Sequence, residues 1–170
     1  MTFQEGANGY SGTADTFLQE SAPGAGNRAS TTLSVDADDP GDSGLATQAL
    51  LRFDDIFGAR TDQIPRGAAV LSAWLELNTT DEGSGATVHR MQTAWEETDS
   101  WSLFGADGIR AGSEAAAEVE GTIVGSGGTR RTAVTKTPAA WSADPSSNQG
   151  WASLPTGDGG WDFSSAEGDV

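Results

Sequence analysis

The stretch Ala69-Val70-Leu71-Ser72-Ala73-Trp74-Leu75-Glu76-Leu77-Asn78-Thr79 decides the fold class. Val70, Ser72, Trp74 and Glu76 fall on one parity, Leu71, Ala73, Leu75 and Leu77 on the other. Successive side chains of a strand point to opposite faces, so this period of two predicts a strand with one apolar face. Trp74, mid-strand between apolar neighbours, reads as core packing. Working outward, residues 86–95 alternate again, with Val88, Arg90 and Gln92 opposite Thr87, His89 and Met91. Residues 48–54, 14–20 and 31–36 are also strand-like, the last two joined by a turn at Pro23-Gly24-Ala25-Gly26-Asn27. Further strands are expected at 117–124, 130–135, 151–154 and 160–164. Only Pro138-Ala139-Ala140-Trp141 reads as a helical turn. No linker or internal repeat divides the 170 residues. The expectation is one all-β domain spanning 1–170, a jelly-roll sandwich of about eight to ten antiparallel strands.

Charge narrows the function classes. The chain has 25 acidic and 9 basic side chains, a formal charge of −16. Such a field repels phosphate backbones and anionic membranes, so nucleic acid is excluded as a partner. It attracts divalent cations instead. With no cysteine, disulfides, thiolate catalysis and cysteine-ligated metals fall away together. Apolar runs such as Ala68-Ala69-Val70-Leu71 are far too short to span a bilayer. The opening Met1-Thr2-Phe3-Gln4-Glu5 lacks the basic and apolar regions of a signal peptide. Twenty-three glycines raise the question of disorder, but six tryptophans and six phenylalanines argue for a packed core.

Few residues invite chemistry. His89 is the only histidine and Lys136 the only lysine, and no serine sits in a Gly-x-Ser-x-Gly elbow. A lone strand histidine reads as hydrogen-bonded packing, and no catalytic residues are expected. Asp36-Ala37-Asp38-Asp39-Pro40-Gly41-Asp42 is the densest acidic cluster, where Asp36 and Asp38 on a tight turn could converge oxygens on calcium. It lacks the glycine and closing glutamate of an EF-hand. Flat indoles can stack on the apolar C–H faces of sugars. Trp151 and Trp161 bracket the loop at 154–160, and both, Trp161 with Asp162 beside it, are candidate sugar-binding platforms, as is Tyr10 near Asn8. Trp95 and Trp101, flanking Glu96-Glu97-Thr98-Asp99-Ser100, read as a packed corner.

Several segments taken in order resemble one family. They are Ala14-Asp15-Thr16-Phe17, Pro23 and Asn27, Thr32-Leu33-Ser34-Val35 and Ala49-Leu50-Leu51-Arg52-Phe53-Asp54. Ile64-Pro65-Arg66-Gly67-Ala68, Ala73-Trp74-Leu75-Glu76-Leu77, Val88-His89-Arg90 and Trp95 to Trp101 continue the series. Ala140-Trp141, Asn148-Gln149-Gly150-Trp151 and the run from Trp161 to Glu167 complete it. Together, from about Phe3 to Glu167, they resemble the DNRLRE domain, a family related to polysaccharide-binding modules of alginate lyases and other secreted enzymes. Two departures stand out. Thr132-Ala133-Val134 occupies the place of a Phe-Asp-Val strand, and no final strand of the Arg-Pro-x-Leu-x-Val type precedes Val170.

The resemblance implies a non-catalytic polysaccharide-binding module of a secreted or cell-surface protein. It also implies a structural calcium where the first strands meet the last, held by Asp15 and Glu167 with Asn27 or Asp36 completing the shell. The acidic surface favours a neutral glycan over a polyanion unless calcium bridges the two. The alternative is a structural domain of a surface protein or filament, whose open end at Asp169-Val170 takes a strand from a neighbour.

Overall fold

The computed structural model describes residues 1–168. Two antiparallel sheets face each other. The five-stranded sheet runs β1 (Thr13–Gln19), β3 (Thr47–Phe53), β10 (Trp151–Pro155), β7 (Ala86–Arg90), β8 (Gly121–Ile123). The four-stranded sheet runs β2 (Thr32–Val35), β11 (Trp161–Ser164), β6 (Trp74–Asp81), β9 (Gly128–Ala133). A two-residue parallel pair, β4 (Phe57–Gly58) and β5 (Ile64–Pro65), stands apart. Setting aside β1 and that pair, the order in which the chain visits the two sheets is that of a jelly roll. The all-β sandwich expected from the alternation is what the chain forms.

Between the sheets lies the main core. Leu33 and Val35 of β2, Leu75 and Leu77 of β6, Ala86 and Val88 of β7, and Trp161 and Phe163 of β11 meet there. Each pair is spaced two apart, which is why alternation in sequence becomes a face in space. Helix α1 (Lys136–Ala143) plugs one end, with Trp141 fully buried and its ring 4.6 Å from Trp151. Pro138 sits in its first turn, where the missing N–H costs nothing.

A second core covers the outside of the five-stranded sheet. Ala14 and Leu18 of β1, Leu50 of β3 and Ala152 of β10 point outward and pack under Met91, Trp95, Trp101, Ile109 and Ala115. The segment 92–116 therefore forms a roof. It is pinned by Gln48, whose side-chain amide donates to the Ile109 carbonyl at 3.0 Å and accepts from the Ile109 amide at 2.8 Å. Trp95 donates Nε1–H to the Gln149 carbonyl at 2.7 Å, and the Arg52 guanidinium sits 4.8 Å from its ring centre. The packed corner expected at Trp95 and Trp101 is this roof. His89 points the same way, its ring nitrogens 2.9 Å from the Ala116 carbonyl and 3.1 Å from the Thr87 hydroxyl.

Strand β6 begins later than its alternation predicts. Residues 69–73 are not strand, and Leu71 is 90% exposed. Register with β9 starts at Trp74↔Ala133, so the alternation upstream of it lacks a ladder to join. The free edge of β1 is occupied by side chains. Glu5 accepts from the Thr13 amide at 3.0 Å, Glu97 accepts from the Asp15 amide at 3.2 Å, and the Asn27 amide donates to the Phe17 carbonyl at 2.8 Å. Those groups are what a partner strand would need at this edge. The chain end at Asp169-Val170 lies outside the described residues.

Candidate functional site

The outer face of the four-stranded sheet carries no covering layer among the described residues. Its outward side chains are Trp74, Glu76 and Asn78 of β6, Thr129, Arg131 and Ala133 of β9, Asp162 and Ser164 of β11, and Thr32 and Ser34 of β2. Trp74 is 52% exposed, whereas Trp95, Trp101, Trp141, Trp151 and Trp161 are all buried. The expectation that Trp74 is core is therefore overturned. Its parity partners Ser72, Glu76 and Asn78 are polar, and the face they define meets solvent, while Leu75 and Leu77 turn inward. That parity was the available signal, outweighed by the apolar neighbours Ala73 and Leu75.

Around the indole the polar groups are ordered. The Arg131 guanidinium lies 4.7 Å from the Trp74 ring centre and pairs with Glu76 at 3.9 Å. This cross-strand pair is more than half exposed, so its worth is in holding position rather than in stability. Farther along, the Asn78 amide reaches the Ser164 hydroxyl at 3.5 Å. Strand β11 then shifts register against β6 between Asp162 and Phe163, and the shift sets Asp81 opposite Asp162. Strict alternation would have put Thr80 there and turned Asp81 inward, so the bulge re-aims a carboxylate onto the face. Burial, followed by the charges of Asp81, Asp39 and Asp36, holds the Asp162 carboxyl above its ordinary range, opposed by the Ser34 hydroxyl.

Two of the expected aromatic platforms are corrected. Trp161 is 0% exposed, donates to the Thr79 hydroxyl at 3.0 Å and packs 4.6 Å from Phe163. Trp151 is 4% exposed and donates to the Glu120 carboxylate at 2.9 Å. Both open a strand with the indole pointing into the sandwich, so neither offers a face to a sugar. Tyr10 is half-buried, donates its hydroxyl to the Asp54 carbonyl at 2.9 Å and meets Phe3 edge-on. Of that set, Asp162 lies on the exposed face.

The residues expected to bind calcium separate into three places. Asp15 and Glu167 do meet. Asp15 is buried, its carboxylate accepts from the Ala166 amide at 2.7 Å, and Glu97 is close by. Burial pushes the Asp15 carboxyl up to about 7; the Ala166 amide opposes this, while Glu167 and then Glu97 add to it. Asn27 spends its amide on β1. Asp36 and Asp38 sit at the other end of the sandwich, where Asp36 bridges to Thr47. Asp38 accepts from the Gly44 amide at 2.6 Å and the Asp42 amide at 2.7 Å, and these donors hold its carboxyl below the ordinary range. The five do not share a shell, and among the described residues no three acidic or histidine side chains are grouped to hold a metal ion. No protein-family model and no curated protein matches the chain.

Proposed function

We propose that the chain is a non-catalytic polysaccharide-binding module of a secreted or cell-surface protein, and that its site is the outer face of the four-stranded sheet. The observation that supports this is Trp74, the one tryptophan left half exposed, set among side chains able to hydrogen-bond hydroxyls. A sugar ring laid on the indole loses water from its apolar C–H face, while Arg131 and Glu76 exchange hydrogen bonds with its hydroxyls and Asn78 and Ser164, farther along β6, with those of the following sugars. The strands hold these groups in place before the ligand arrives, so little side-chain freedom is lost on binding. A large apolar area exposed without a ligand would be a liability; one indole among polar groups is not.

Affinity electrophoresis through gels containing neutral polysaccharides tests the reading. Retention is expected for the native chain and is expected to fall at least tenfold in Trp74→Ala. Equal retention of the two proteins, or none in any neutral gel, overturns it.

A further inference from the structure

We infer that the ligand is an uncharged glycan lying lengthwise along β6, and that Asp81 and Asp162 at the far end of the face turn polyanionic glycans away. This rests on the Trp74 reading and adds direction and selectivity to it. Outward residues of a strand recur at roughly 6.7 Å, so Trp74, Glu76 and Asn78 mark a track about 13 Å long. Across the strands the next groups are Ser164 and Thr32, opposite Asn78 and Ser164 respectively. The track thus has an aromatic end, a middle of paired opposite charges and a hydroxyl- and amide-bearing section. Beyond it stand Asp81 and Asp162, side by side through the bulge.

Charge accounting along the track decides the ligand class. Arg131 and Glu76 offset each other. Neither Asp81 nor Asp162 is ion-paired to Lys or Arg among the described residues, nor are Asp36 and Asp39 behind them. Asp39 is instead held by neutral donors, the Thr47 hydroxyl at 2.8 Å and the Gln19 amide at 3.4 Å. A chain of uronate residues seated on Trp74 and running along β6 would bring its own carboxylates against this end. A neutral chain brings only hydroxyls, which ionised carboxylates accept well. The single positive group of the face is already engaged, so nothing there rewards an anion.

The test is isothermal titration of the native chain and Asp81→Asn/Asp162→Asn with cello-, manno- and xylohexaose, and with an oligogalacturonate of the same length. A control variant, Asp62→Asn/Asp107→Asn, removes the same charge away from the face. Expected at low salt is a gain of roughly fivefold or more in oligogalacturonate binding for the face variant. Neutral binding should stay within twofold, and the control should show no gain. Equal gains in both variants, or none in the face variant, overturn the selectivity inference while leaving the Trp74 reading intact. Loss of all neutral binding, or neutral binding indifferent to Trp74→Ala, sinks the underlying reading instead. Should the double variant fold poorly, the single variants Asp81→Asn and Asp162→Asn serve, with Asp62→Asn as their control. A gain in oligogalacturonate binding confined to the face variants is expected, and an equal gain in the control, or none in either face variant, counts against the filter.

Discussion

The two outer faces of the sandwich have opposite fates. That of the five-stranded sheet is roofed by residues 92–116 and forms a second core. That of the four-stranded sheet stays bare, with Trp74 and a set of polar side chains. The difference begins in the strands themselves. In β3, Ala49 and Leu51 enter the main core while Leu50 enters the roof, so both parities are apolar. In β6 one parity is Leu75 and Leu77, the other Trp74, Glu76 and Asn78. A strand apolar on both sides needs two covers, and a strand with a polar side needs one. The roofed face serves stability, and the bare face is the one the proposed glycan would occupy.

Removing the roof's anchor should show the largest effect. Trp95→Ala takes away a buried indole, its bond to Gln149 and the surface on which Arg52 lies. A loss of about 3–5 kcal/mol in urea unfolding is expected, the usual range for a large aromatic truncated in a core. If the loss is under about 1 kcal/mol, the roof is not a core and the two outer faces differ little in what they contribute to stability. Gln48→Ala comes next. It strands the Ile109 N–H and carbonyl in a buried place, at a cost of about 2–4 kcal/mol for the two groups. Protection of the Ile109 amide from hydrogen exchange should fall with it.

Nearly all of the sheet structure was legible in the sequence, because alternation directly records which side of a strand is wet. The exposed site was less legible, for reasons that differ by residue. Trp74 belonged by parity with Ser72 and Glu76, and only its neighbours argued for burial. Trp161 and Phe163 alternate with Asp162 and Ser164 in the same way, so parity also placed Trp161 inside, against the inference drawn from the glycine-rich loop before it. Asp81 could not be read at all. Its place on the face depends on a register shift, which is a property of the pairing and not of either strand. The contacts of Asp15 with Glu97 and Ala166 cross 82 and 151 residues of chain, and no local pattern records such distances.

Asp15 gives a third, smaller effect, and its sign is unusual for a carboxylate. The folded-state value near 7 lies above the ordinary 3.8, so the folded chain keeps a proton that the unfolded chain releases. Stability from this group is fully present below about pH 4, falls as pH rises toward 7, and is level above that. Asp15→Asn keeps an oxygen for the Ala166 amide and cannot ionise. Between pH 5 and 7 the native chain should therefore lose about 2 kcal/mol relative to the variant, measured by urea midpoints at matched salt. Parallel pH profiles for the two proteins would show that the carboxyl is not held protonated, and that the flank beside β1 behaves more like the open face than like a core.

Trp74→Ala should move stability least of all, and that is its value. The indole leaves about half its surface in water, and the guanidinium over its ring belongs to Arg131, itself exposed. Truncation leaves the inward neighbours Leu75 and Leu77 in place and makes no cavity. A change within about 0.5 kcal/mol is expected, as for surface substitutions away from special features. The same substitution is expected to abolish most glycan retention. One indole lost from the roof should cost folding; one lost from the bare face should cost binding and little else. If Trp74→Ala instead destabilises by 2 kcal/mol or more, the residue is part of the core energetics after all. The bare face would then lack the independence from folding that a binding surface of this kind requires.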